Sequence, residues 1–296
     1  MTTLVKYHAL GNDYLVADPE LGAPAPDATA TRALCDRRTG VGADGVLYGP
    51  LPGPGTDPQG MFQVRVFNAD GTECARNANG LRIFARYLRE HGRTHQDELT
   101  LRTPGGDVRV RLGGSATAAC TIDLGSWTHR IATVADGGQV AGDAETVGVP
   151  LEIEPGTTVH ATAVHNGVPH LVALVDDATT ELAARIGPRI VGYAGFAERP
   201  NAELLTVEDR RTLRVRIWER GVGHTPASGS GACAAACAAH RLGLTDPAVN
   251  VVMPGGTVGV EITEDERVLL SGPTSLVGRV TLADEFVPLL RARTPR

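Results

Sequence analysis

Phe67-Asn68-Ala69-Asp70-Gly71, a short loop, Asn77-Ala78-Asn79-Gly80 and then LRIFARYLREHG (81–92) form the stretch from which the fold is read. The pattern is a strand, a tight turn, a loop of small residues and a helix that stops at glycine. It recurs in the second half as Trp218-Glu219-Arg220-Gly221, a loop, Ser228-Gly229-Ser230-Gly231 and ACAAACAAHRLG (232–243). A second pair lies upstream of each copy. His8-Ala9-Leu10-Gly11-Asn12-Asp13-Tyr14-Leu15-Val16 matches His165-Asn166-Gly167-Val168-Pro169-His170-Leu171-Val172, and acidic residues follow both (Asp18; Asp176 and Asp177). Two pairs in one order imply an ancient duplication, with too few copies for a solenoid. The expectation is two homologous lobes with a cleft between them.

The remaining segments suit α+β lobes. VRVRLG (108–113), ATAACTIDLG (116–125), LEIEPG (151–156), NAELLTVED (201–209), RTLRVRIWE (211–219), VNVVMPGGTVGVEIT (249–263) and RVLLSGP (267–273) read as strands. TRALCDRRTG (31–40) and TTELAARIGPRI (179–190) read as helices. Residues 49–60 read as a surface hairpin loop, 132–148 as the crossing between lobes and the final TPR as a frayed end. The expected domains are 1–130 with about 277–296, and 131–276.

Composition narrows the function. The chain has 296 residues and a formal net charge of −6, which disfavours a nucleic-acid partner. It contains no apolar run of membrane-spanning length and no signal peptide at its start, so a cytoplasmic enzyme is expected. Five cysteines, an odd number in a long chain, argue against a disulfide framework. Cys233 and Cys237 read as small apolar residues on a buried helix face rather than as metal ligands. Lys6 is the sole lysine. A pyridoxal phosphate enzyme needs a Schiff-base lysine, so that cofactor is not expected, and neither is any other cofactor or metal.

Each loop delivers small residues to a helix N-terminus, where free N–H groups and the helix dipole favour an anion. A small carboxylate held between two such ends would meet Asn77 from one lobe and Ser228 from the other. Alternatively, Asn77 and Ser228 are N-caps, which both residue types favour.

These residues resemble the diaminopimelate epimerase family. The resemblance rests on Tyr7–Tyr14, on Asp36-Arg37-Arg38-Thr39-Gly40-Val41-Gly42-Ala43-Asp44-Gly45, on Asn68–Glu73 and on Glu219-Arg220-Gly221-Val222-Gly223, and it spans nearly the whole chain. It implies two pseudo-symmetric lobes, each a β-barrel-like sheet wrapped around a central helix, with a cleft between them and pairing of two copies through one lobe. It also implies proton movement at an amino-acid α-carbon, without cofactor or metal, by two cysteines. The family's Cys-Gly-Asn-Gly is here Asn77-Ala78-Asn79-Gly80, and its Cys-Gly-Thr-Gly is Ser228-Gly229-Ser230-Gly231. Its Gly-Asn-Pro-His is Gly167-Val168-Pro169-His170, and its acidic residue after Gly223 is His224. Asn12, Asn68, Asn79, Asn201, Glu219 and Arg220 are retained. With Ala78, Gly229 and Ser230 they form the expected substrate-binding set.

A thiol titrates near 8.5 and serves as a base, whereas an amide has no basic site and a hydroxyl needs activation. Two-thiol epimerisation is therefore not expected. The leading expectation is a one-base isomerase acting on an amino-acid or imino-acid carboxylate, by double-bond shift or epimerisation. Its setting would be specialised metabolism such as antibiotic biosynthesis. The expected catalytic group is His224, Ser228, Asn77 and Glu73, with Asp70, Asp44 and Glu219 as further candidate bases. The alternatives are a lyase or dehydratase of a hydroxy-amino acid and a non-catalytic ligand-binding relative.

Overall fold

The computed structural model describes residues 1–52, 60–113, 119–134, 140–165 and 167–290. Most of the 49–60 loop, Asn166 and the final TPR therefore lie outside the described residues. The fold is α+β and the chain divides into two compact units, Met1–Asp123 with Ser271–Arg296, and Leu124–Leu270.

The first unit runs β1 (Thr3–Ala9), β2 (Asn12–Ala17), α1 (Ala28–Cys35), β3 (Gly45–Leu51), β4 (Met61–Asn68), β5 (Glu73–Cys74), α2 (Ala78–Glu90), β6 (Glu98–Thr103), β7 (Gly106–Leu112) and β8 (Cys120–Ser126). The second runs β9 (Arg130–Val134), β10 (Val140–Glu145), β11 (Val149–Glu154), β12 (Thr157–His165), β13 (Pro169–Leu174), α3 (Thr180–Val191), β14 (Asn201–Asp209), β15 (Thr212–Glu219), β16 (Gly223–Thr225), α4 (Gly229–Arg241), β17 (Ala248–Met253), β18 (Gly256–Ile262) and β19 (Arg267–Gly272). β20 (Ser275–Thr281) returns to pair antiparallel with β1.

Both units use one plan. A hairpin (β1–β2, β12–β13) feeds a helix, and the next strand pairs parallel with the hairpin's second strand (β2–β3, β13–β14). An antiparallel partner follows (β4, β15), then a two- or three-residue strand folded back on it (β5, β16), then the long helix. That helix takes one face of the sheet: α4 packs on β12, β13, β14, β15, β17 and β18. The shorter helix takes the other face. Ala30 and Leu34 of α1 cluster with Val46 and Phe67, and Ala183, Ile186 and Ile190 of α3 cluster with Leu204 and Trp218.

Some elements depart from the sequence reading. The first helix begins at Ala28 rather than Thr31, because Asp27 caps it by accepting from Ala30 N at 2.7 Å. It ends at Cys35, where Asp36 Oδ1 accepts from the backbone N–H groups of Arg38 and Thr39 and turns the chain. The 132–148 stretch is no plain crossing. Where described, it is the β9–β10 hairpin inside the second unit.

Candidate active site

The long helices start alike. Asn77 caps α2 with φ −135° and ψ 121°, and Ser228 caps α4 with φ −137° and ψ 125°. Asn77 Oδ1 accepts from Gly80 N at 2.9 Å, and Ser228 Oγ accepts from Gly231 N at 3.4 Å. The N-cap alternative therefore holds for both residues. Both neighbouring glycines are forced. A Cβ at Gly80 would lie 2.9 Å from Leu47 Cδ2, and one at Gly231 would lie 2.9 Å from Ile217 Cδ1 and 3.0 Å from Glu203 Oε1. The strands preceding the caps match too: Cys74 Sγ donates to Arg76 O, and Thr225 Oγ1 donates to Ala227 O.

In the first unit the expected binding residues form one network. Asn79 is buried; it donates to Asn12 Oδ1 at 3.1 Å and accepts from the fully buried Arg82 at 2.6 Å. Asn12 Nδ2 donates to Asp44 Oδ2 at 2.9 Å, and Arg37 bridges Asp44 and Asp13. Burial alone would raise the Asp13 carboxyl, but hydrogen bonds from Arg37 and Lys6 outweigh it and hold the group down at about 2. Asp44 thus anchors loops. Asp70 caps its own turn through Thr72, whose hydroxyl and N–H lower its carboxyl. Asn68 donates to Thr72 Oγ1 at 3.0 Å. In the second unit Asn201 accepts from Arg220 N at 2.9 Å, and Arg220 Nη1 donates to Arg199 O. Ala78 belongs to the first turn of α2, and Gly229 and Ser230 to that of α4.

Glu73 and His224 lie on the short strands β5 and β16 that lead to the helix starts. Residues directly opposite across an antiparallel pair share a sheet face. His224 pairs with Trp218, which packs on Gly187 of α3, whereas Ile217 faces α4. Glu73 pairs with Phe67, which clusters with α1. Both candidate bases therefore lie on the sheet face away from the long helix of their unit. Glu73 is further committed: a two-point bond from Arg65, at 2.8 Å to each oxygen, lowers its carboxyl and weakens it as a base.

A different acid–base pair does lie on the α4 face. His170 Nδ1 stands 2.7 Å from Glu203 Oε1, and both side chains have zero exposure. Burial pushes the Glu203 carboxyl up against the opposing pull of His170. Among the described residues His170 Nε2 and Glu203 Oε2 have no hydrogen-bond partner. The fold does not require this pair. Strand register puts Tyr14 and Leu47 in the same places of the first unit. Glu219 lies on the same face as Ile217, and its charge adds to the upward push on Glu203.

Cys35, Cys120, Cys233 and Cys237 are buried, and burial pushes Cys35, Cys120 and Cys237 up to about 12. Half-buried Cys74 is occupied with Arg76 O at 3.1 Å. Lys6, the sole lysine, is ion-paired with Asp13 at 2.9 Å. Among the described residues no cluster of three His, Cys, Asp or Glu side chains suits a metal ion, and no helix is long and apolar enough to cross a membrane.

Comparison with known proteins gives one consistent result. The family model for diaminopimelate epimerase matches residues 4–129 and 162–277. The chain is 36% identical to diaminopimelate epimerase 2 of Nostoc sp. over 284 residues, covering 95% of each chain. It is 36% identical to the diaminopimelate epimerase of Desulfitobacterium hafniense, covering 95% of this chain and 98% of that one. Among solved structures, a phenazine biosynthesis protein of the PhzF family from Enterococcus faecalis superposes with a TM-score of 0.66 at 16% identity, covering 95% of this chain and 99% of the other. A probable proline racemase from Agrobacterium radiobacter gives 0.65 at 15% identity, covering 98% and 95%. At such identities the structural likeness speaks for the fold alone.

Proposed function

The chain belongs to the diaminopimelate epimerase family, and on that footing we propose a cofactor-independent isomerase that moves a proton without paired thiols. Its substrate is a small amino-acid or imino-acid carboxylate other than diaminopimelate. The observation that carries this reading is chemical: the caps of α2 and α4 are an amide and a hydroxyl, each spent on its own helix. Neither is a base at neutral pH, so symmetric removal and return of a proton by two thiols is not available.

A single base remains, and His170 supported by Glu203 is the best placed. An imidazole titrates in the neutral range and exchanges protons with carbon acids through an unpartnered nitrogen. His170 has such a nitrogen in Nε2, buried and without a partner among the described residues, which a bound substrate would supply. The proton leaves one carbon for Nε2, the electron pair spreads into a system conjugated with the carboxylate, and Nε2 returns the proton at another carbon. The product keeps the substrate's mass. First-turn N–H groups of α4, with Ser230 beside them, suit the carboxylate.

Heavy-water incubation tests the reading. The purified protein is offered amino acids and unsaturated cyclic amino acids, and carbon-bound deuterium and double-bond position are read by mass spectrometry and NMR. Deuterium at carbon with a moved double bond is the expected outcome. Loss of water would point to a lyase instead, and binding without exchange to a non-catalytic relative. Efficient epimerisation of diaminopimelate by the native chain would falsify the proposal. The Asn77→Cys/Ser228→Cys variant is expected to gain α-proton exchange on diaminopimelate that the native chain lacks.

A further inference from the structure

Helices α2 and α4 correspond position by position from their caps, so Arg86 matches Cys237 and Glu90 matches Arg241. In the first unit this level is filled. Arg86 Nε pairs with Glu90 Oε1 at 2.8 Å, Arg86 Nη1 donates to Thr274 O, and its guanidinium lies 5.8 Å from the centre of the Tyr7 ring. Tyr7 Oη closes the group by donating to Glu90 Oε2 at 2.7 Å. In the second unit Cys237 is too short to span the space, and strand register puts Val164 where Tyr7 stands. A cavity of about 600 Å³ opens beside Cys237 and the last turn of α4.

Its lining is suited to a ligand rather than to a packing defect. Trp127, Ile262 and Val268 give apolar walls. His240 and Arg241 bring donors from the end of α4, while Glu264 and Glu266 bring carboxylates from the turn between β18 and β19. Trp127 Nε1 and His240 Nδ1 are buried and lack hydrogen-bond partners among the described residues, so each has a donor or acceptor to satisfy. Glu266 holds φ +57°, a left-handed conformation that glycine adopts more cheaply. The turn nevertheless presents a carboxylate there. The volume lies within the range of pockets for small molecules.

We propose that this cavity binds a zwitterionic amino acid with an apolar side chain. The ligand carboxylate meets Trp127 Nε1, His240 and Arg241, its ammonium meets Glu264 and Glu266, and its side chain packs on Trp127, Ile262 and Val268. Trp127 borders the proposed proton-transfer site, its ring centre 5.9 Å from that of His170, but binding is read without proton transfer, so the two readings are tested separately.

The chain has two tryptophans, and Trp218→Phe leaves Trp127 as the sole tryptophan reporter. L-phenylalanine is titrated into that variant and followed by Trp127 emission, with calorimetry on the native chain as a check that does not depend on the substitution. Saturable binding is expected below about 10 mM, with 3-phenylpropanoate (no ammonium) and phenethylamine (no carboxylate) each at least ~10-fold weaker. Glu264→Gln/Glu266→Gln is expected to weaken L-phenylalanine by ~10-fold while sparing 3-phenylpropanoate. Cys237→Arg, which restores the first unit's side chain, is expected to abolish binding. No saturable signal by either method, or undiminished binding in Cys237→Arg, overturns the proposal.

Discussion

Helices α2 and α4 share length, cap geometry and neighbouring strands, yet they hold their units together differently. Around its axis α2 buries Leu81, Arg82, Ile83, Phe84, Tyr87 and Leu88. At the same positions α4 buries Ala232, Cys233, Ala234, Ala235, Ala238 and Ala239. The first unit thus fills its interior from the helix, while the second fills it from the strands and leaves a cavity beside Cys237. Polar groups divide the other way. Beneath the helix start the first unit keeps Tyr14 and Leu47, and the second keeps the buried pair His170 and Glu203. Duplicated backbones tolerate such exchange because volume and hydrogen bonding need to be satisfied within each unit, not residue by residue.

The sharpest way to break this contrast is to remove the second unit's pair. His170→Gln with Glu203→Gln keeps nearly the same volume and lets the two side chains hydrogen-bond, and is expected to leave the chain folded. Proton exchange is expected to drop by ~100-fold or more, the usual loss when a general base is removed. Exchange rate and urea midpoint are measured together. Full exchange in a folded double variant would return the base to another residue.

A contrast within the helices comes next. Arg82→Ala removes a fully buried side chain and the donor to Asn79, and is expected to cost about 3 kcal/mol in chemical denaturation. Cys233→Ala at the matching position removes one atom and is expected to cost less than about 1 kcal/mol. Equal costs would refute the idea that only α2 carries its unit's volume.

The Asp13 network predicts an acid limit peculiar to the first unit. Its folded-state value of about 2 lies below the ordinary 3.8, so its contribution is complete above about pH 4 and is lost as pH falls toward 2. The shift corresponds to about 2 kcal/mol. Arg37→Ala is expected to flatten that part of the stability–pH curve, and an unchanged curve would assign the acid sensitivity elsewhere.

The smallest difference concerns the caps. Asn77→Ala is expected to cost about 1 kcal/mol, and Ser228→Ala less, because the serine bond is 3.4 Å against 2.9 Å for asparagine. Thermal unfolding of the two variants compares them directly, and a larger loss at Ser228 would reverse the order.

The duplication and both caps were legible in the sequence because they are local. Turn residues, small loop residues and helix periodicity sit within a few positions of one another. The facing of Glu73 and His224 was not legible. Each belongs to a strand of two or three residues, and a one-residue change of register sends such a side chain to the opposite face. His170 and Glu203 were missed for another reason. They are 33 residues apart and meet only because β13 and β14 pair in parallel. One signal was present: Glu203 interrupts the apolar run Ala202–Leu205, and a charge inside a buried strand calls for a partner.

The sequence by itself determined the two-lobed α+β family fold and the placing of Asn77 and Ser228 at the starts of the two long helices, because both are written in contiguous patterns. Only the tertiary structure decided which polar side chains face the long helices, that His170 is tied to Glu203, and that the second unit is hollow beside Cys237. Those outcomes depend on strand register and on volumes summed over distant segments, and neither quantity exists until the chain has folded.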